Sequence, residues 1–125
     1  MWADNRLAEA RQVARLANRG CQVRVLVNHT PELYGTRVAA TLRSARVPVR
    51  NLHIRHRGLD GYIHTKTWII NGTVYAGSAN SSARTRRMNA DVLTVRTSKN
   101  PAGRANLVAY QRFLDRMWSA GRPIR

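Results

Sequence analysis

The dipeptide Asn71-Gly72 constrains the fold of this chain more than any other feature. A two-residue hairpin loop of type I′ needs positive φ at both central positions, and Asn-Gly meets that need better than almost any other pair. Both flanks are rich in strand formers, Tyr62 to Ile70 before the turn and Thr73 to Ala76 after it. The chain is therefore expected to fold back on itself here as an antiparallel ribbon. That return carries the segment Gly77-Ser78-Ala79-Asn80 back toward the strand that holds His64 and Lys66.

Helical and strand periodicities alternate around this hairpin. Leu7, Ala10, Val13, Ala14 and Ala17 recur at 3.6-residue spacing between Asp4, placed to cap, and Gly20, placed to stop. Val23, Val25 and Val27 alternate through Gln22 to Val27 and predict a strand. A second helix is expected after Pro31, with Val38, Leu42 and Ala45 on one face and Gly35 weakening its first turns. Val47 to Ile54 predicts another strand, with Pro48 suited to its beginning or to an edge. Arg55 to Gly61, rich in charge and glycine, is read as a loop, and Ala90 to Arg96 as a strand. After Pro101 a last helix should run to about Ser119 with Leu107, Tyr110, Leu114 and Met117 inward, ended by Gly121 and Pro123.

Helices interspersed with strands through short connections predict an α/β fold, a mixed β-sheet flanked by helices, in a single domain over residues 1–125. A chain of 125 residues can bury one core and no more. It opens directly into a helix, and a sheet built from the strands beyond that helix wants one more strand near its middle. Trp2, Trp68 and Trp118 are assigned to the core, and Cys21 to a small buried thiol. A lone cysteine excludes both an intramolecular disulfide and a cysteine-based metal cluster.

Charge narrows the partners. Lys plus Arg number 22 against 6 Asp plus Glu, a net +16 carried almost wholly by arginine. The guanidinium fork suits phosphate oxygens, so nucleic acid and an anionic lipid surface are the natural partners. No stretch approaches the roughly 20 apolar residues of a membrane span, and the N-terminus lacks the basic-then-apolar pattern of a signal peptide. A soluble chain without a visible export signal is expected, with its compartment left open.

Strand alternation puts His64 and Lys66 on one surface, a nucleophile beside a cation. The returning Gly77 to Asn80 segment adds backbone amides, a hydroxyl and a carboxamide, all suited to phosphate oxygens. His29, His53 and His56 lack a lysine two residues on and read as loop or surface residues. Arg84, Arg86 and Arg87 form either a solvated helix face or a substrate contact just past this segment. The carboxylates are scattered and the four histidines show no close ligand spacing, so neither metal nor other cofactor is expected.

The run HTKTWIINGTVYAGSAN, His64 to Asn80, resembles the HxKx4D…GSxN signature of the phospholipase D superfamily. The resemblance extends to Arg15–Val27, to the RSARVPVR segment and to the helix carrying Tyr110, Phe113 and Trp118. It implies His64 as the nucleophile, forming a phosphohistidine, with Lys66, Ser78 and Asn80 on phosphate oxygens and Gly77 allowing close backbone approach. An acidic residue after GSxN orients the imidazole in such proteins, which implies that role for Asp91, fourteen positions beyond Gly77. The resemblance also implies a domain that here lacks its first strand or strands, as the C-terminal part of a longer one would.

Two departures stand out. Asn71 replaces the Asp of the signature, and the segment from Asn71 to Gly77 is one residue shorter than in most members. Position 71 falls at the hairpin turn and faces away from the His64 surface, so a structural role is expected for it, which Asn fills equally well.

Hydrolysis by this route also needs a general acid for the leaving oxygen, which becomes the base that activates water. Members of the superfamily meet this with two HxK motifs about a pseudo-twofold axis. One motif per chain therefore implies a homodimer in which two copies of His64 face each other, and an inactive monomer. The phosphodiester substrate, nucleic acid or phospholipid, stays open. A reading from another class is a catalytically weakened, Arg-rich nucleic-acid-binding module, resting on Asn71 and the shortened hairpin.

Overall fold

Apolar residues at helical spacing need a surface to cover, and the first ones find it in each other and in two short strands. A computed structural model describes residues 7–28, 36–61, 63, 65–78 and 91–124. The chain divides into two compact units, Met1–Ile63 with Ala120–Arg125, and His64–Ser119.

In the first unit, α1 (Leu7–Asn18) buries Ala10, Val13 and Ala14, the face expected from the sequence. Gly20, at φ 88°, ends it: its N–H donates to the Ala17 carbonyl at 2.9 Å and the Cys21 N–H to the Leu16 carbonyl at 3.1 Å. This 5→2 and 6→1 pair satisfies carbonyls that the helix end leaves open. Cys21 is carried out of the helix by the same turn and is exposed, which corrects its reading as a buried thiol. The proposed cap, Asp4, lies outside the described residues.

β1 (Val25–Asn28) begins later than the apolar alternation from Val23, because its parallel partner β2 (Val49–Leu52) offers pairing only from Val25↔Val49 to Asn28↔Leu52. Between them, α2 (Arg37–Ser44) starts at Thr36, whose Oγ1 accepts the Ala39 N–H at 3.3 Å. It buries Val38, Ala39 and Leu42. Its end repeats the closure of α1, with Arg46 at φ 55° in the place where glycine is usual. Pro31 and Gly35 lie outside the described residues. Ala10, Val13, Val38, Leu42 and Val47 form the core, with Val23, Val25 and Val49 packed against it. The helices thus cover the β1–β2 pair.

Further along the chain, β3 (Ile54–His56) and β4 (Leu59–Gly61) pair antiparallel, with Arg55 opposite Asp60. This corrects the reading of Arg55 to Gly61 as a loop. Arg57 and Gly58, both at positive φ, make its two-residue turn. His53 Nε2 lies 2.9 Å and Arg55 Nε 3.3 Å from Asp60 Oδ1, across exposed side chains where ion pairs contribute little. At the far end of the chain β8 (Arg122–Pro123) lies antiparallel to β2, giving the sheet order β1-β2-β8. That sheet is mixed, as expected.

In the second unit, β5 (Lys66–Ile70), β6 (Thr73–Gly77) and β7 (Leu93–Thr97) form an antiparallel sheet in that order. Asn71 and Gly72 connect the first two at φ 48° and 73°, the left-handed pair that the dipeptide predicted. The helix α3 (Pro101–Ala120) half-buries Leu107, Tyr110, Leu114 and Met117, the expected stripe. Tyr110 and Asn106 line a shared crevice with Val74, Ala76, Thr94 and Arg96, so α3 lies under that face of the sheet. Val74, 1% exposed, is its most buried residue. Trp68 points the other way and is 43% exposed, which corrects its assignment to the core; Trp118 is half-buried and Trp2 lies outside the described residues.

Candidate active site

The site is assembled by strand register. Lys66 opens β5 and pairs with Gly77, which closes β6, so the cation lies across the ribbon from the start of Gly77-Ser78. Antiparallel pairs share a face, which puts Lys66, Trp68 and Ile70 beside Gly77, Tyr75 and Thr73, and beyond them Leu93, Val95 and Thr97. Trp68, Ile70, Leu93 and Val95 leave this face open and largely apolar. Lys66 is half-buried at its edge. Asn71 sits at the opposite end of the ribbon, in the turn.

Gly77 allows a close backbone approach, and the partner is strand β7. A Cβ at this position would stand 2.0 Å from the Val92 carbonyl oxygen and 3.0 Å from Leu93 Cα. Any side chain would push β7 away. The same tight passage brings Asp91 against Ser78. The Ser78 N–H donates to the Val92 carbonyl at 3.0 Å, and Ser78 Oγ accepts the Val92 N–H at 3.1 Å and donates to Asp91 Oδ1 at 2.8 Å. Asp91 was expected to orient an imidazole; its described partner is the serine hydroxyl.

In the first unit, the end of β1 holds the chain just ahead of His64. The Asn28 carboxamide donates from Nδ2 to the Ile63 carbonyl at 3.0 Å and accepts the Ile63 N–H at Oδ1. It replaces a strand partner for that one residue, satisfying both backbone groups. Nothing in the sequence singled out Asn28, and the pairing is thirty-five residues long in sequence. His64, Asn80, Arg84, Arg86 and Arg87 lie outside the described residues. Of the expected site, then, the register joins Lys66 to Gly77, and the β6–β7 junction joins Ser78 to Asp91.

The described donors of Ser78, its N–H and its hydroxyl, are both taken up within the β6–β7 junction, by the Val92 carbonyl and by Asp91. Among the described residues no three His, Cys, Asp or Glu side chains gather as a metal-ligand set. No helix among them is long and apolar enough to cross a membrane.

Comparisons with known proteins give the family and the fold. The family model described as the PLD-like domain of cardiolipin synthase matches residues 4–118. A mitochondrial cardiolipin hydrolase of Xenopus tropicalis is 31% identical over 110 residues, covering 87% of this chain and 48% of that protein. The chain thus spans about half the length of the curated relative it matches. The crystal structure of a phospholipase D family member, Nuc from Salmonella typhimurium, superposes with a TM-score of 0.69 at 17% identity, over 93% of this chain and 72% of that one.

Proposed function

Because the chain belongs to the phospholipase D superfamily, we propose that it is a phosphodiesterase that works through a phosphohistidine on His64. The observation that carries this reading is the pairing of Lys66 with Gly77, which joins the two halves of the signature across one hairpin. In the proposed reaction one ring nitrogen of His64 attacks phosphorus and the bond to the leaving oxygen breaks. That oxygen takes a proton from a second imidazole. Water then attacks the phosphohistidine while the second imidazole, now neutral, accepts its proton, releasing a phosphomonoester and free His64. The signature implies Lys66, Ser78 and Asn80 on phosphate oxygens, with Gly77 allowing close backbone approach. Asp91 holds the other ring nitrogen of His64.

The second imidazole is His64 of another copy, since one ring cannot attack and protonate in the same step. The functional unit is a homodimer with two copies of His64 facing each other. No metal is needed, because nucleophile and acid are both histidines. The substrate is a phosphodiester in strongly anionic surroundings, either a nucleic-acid backbone or a phospholipid. The net charge of +16 supports both, and the name of the hydrolase relative supports a lipid such as cardiolipin. Asn71 lies in the turn, away from Lys66, which supports retained chemistry over a weakened binding module.

The test offers plasmid DNA and cardiolipin-containing vesicles side by side, with chelator present, and measures the solution mass of the active species. Cleavage of one substrate by a dimer, lost in His64→Ala, is expected. Cleavage that survives His64→Ala, or an active and strictly monomeric protein, would sink the proposal.

A further inference from the structure

A serine hydroxyl has one proton to give and two lone pairs to receive with. At Ser78 the proton goes to Asp91 Oδ1 at 2.8 Å, and a lone pair takes the Val92 N–H at 3.1 Å. The oxygens of a phosphodiester anion only accept hydrogen bonds. A hydroxyl whose proton is directed at a carboxylate has none to donate to them. We infer that Ser78 is a positioning residue rather than a phosphate ligand: acting through Asp91, it fixes the carboxylate that holds the His64 imidazole. The inference rests on the phosphodiesterase reading with His64 as nucleophile, and it leaves the phosphate to Lys66 and Asn80.

The glycine before it belongs to the same device. Gly77 admits the Val92 carbonyl to a place where a Cβ would stand 2.0 Å away, and this approach puts Asp91 within reach of the next side chain. The Ser78 N–H closes on that carbonyl at 3.0 Å, so backbone and hydroxyl together tie the end of β6 to the entry of β7. Asp91 is exposed and would otherwise sample several rotamers in competition with water. One charge-assisted hydrogen bond selects among them. A carboxylate accepts at about four positions, so the hydroxyl leaves room for an imidazole N–H.

This role separates from phosphate binding by which kinetic constant moves. The probe is bis(4-nitrophenyl) phosphate, with inorganic phosphate as competitive inhibitor, on wild type, Ser78→Ala, Ser78→Thr, Asp91→Asn and the Ser78→Ala/Asp91→Asn double variant. A positioning serine predicts kcat lower by about ten- to a hundredfold in Ser78→Ala, the worth of one charge-assisted hydrogen bond. KM and inhibition by phosphate should stay within about twofold. Ser78→Thr, which keeps the hydroxyl, should recover most of kcat. The double variant should be no slower than Asp91→Asn alone, because both changes break one link. Weaker phosphate inhibition in Ser78→Ala, with losses that multiply in the double variant, would overturn the inference and leave the phosphodiesterase reading standing. A dimeric wild type that turns over no phosphodiester at all would remove both, and it would do so before any variant is compared.

Discussion

Replacing Gly77 by alanine tests the strand junction on which the site is built. The added Cβ would stand 2.0 Å from the Val92 carbonyl oxygen, where ordinary contact begins at 3.4 Å, and its other near neighbours are also backbone atoms of Val92 and Leu93. No side chain can swing aside. β7 must retreat by about 1.4 Å at this end, which stretches the 3.0 Å bond from the Ser78 N–H to the Val92 carbonyl beyond hydrogen-bonding range. Overpacking costs about 1–3 kcal/mol and the two Ser78–Val92 hydrogen bonds about 1 kcal/mol each, so the expected loss is about 3–5 kcal/mol. That is a large part of the 5–15 kcal/mol typical of a domain. Gly58→Ala is the control: its Cβ meets nothing within 4 Å, and only the left-handed φ of 81° opposes it, at about 1 kcal/mol. Urea unfolding followed by circular dichroism should place the Gly77→Ala midpoint about 1–3 M below wild type, and Gly58→Ala well under half that distance below. Amide exchange at Ser78 should lose its protection in Gly77→Ala alone. Equal midpoints for the two variants would show that the Gly77–Val92 approach does not limit stability.

Three further outcomes are expected. Arg46→Gly, at φ 55° in the closure of α2, should raise stability by about 0.5–1 kcal/mol in the same unfolding assay, since glycine adopts that conformation without strain. Asn71→Asp, which restores the residue of the family signature in a turn remote from Lys66, should change kcat with bis(4-nitrophenyl) phosphate by less than about threefold, as both residues tolerate the left-handed region. Asn28→Ala removes both side-chain bonds to Ile63, directly ahead of His64, and should lower kcat roughly tenfold at nearly constant KM; an unchanged kcat would show that this clamp does not serve the reaction.

The range of each interaction decides whether the sequence disclosed it. The Asn71-Gly72 turn, the buried face of α1 and the inward stripe of α3 depend on spacing within one element, and each appears where periodicity placed it. The β3–β4 hairpin escaped because its strands are three residues long and carry His, Arg and Asp instead of alternating apolar residues. Its one local signal was a glycine at 58 centred between short arms of equal length. Trp68 sits in the run Trp68-Ile69-Ile70, where three large apolar residues in succession leave the buried face undetermined; pairing puts Trp68 with Lys66 on the open side. The candidate site divides in the same way. Lys66 and Gly77 meet through the hairpin, which was legible. The bond from Ser78 to Asp91 and the clamp from Asn28 to Ile63 depend on register between distant segments, and one sequence alone does not encode that register visibly.

Whether His64 is the nucleophile of a phosphodiesterase is decided by trapping the intermediate. Wild-type chain is mixed with phosphorus-labelled DNA or cardiolipin, quenched in alkali, digested, and its labelled peptide identified. An acid-labile, alkali-stable phosphoryl group on His64 is expected with one of the two substrates, absent from His64→Ala. Turnover of either substrate without label on His64, or label on another residue that persists in His64→Ala, would contradict that role.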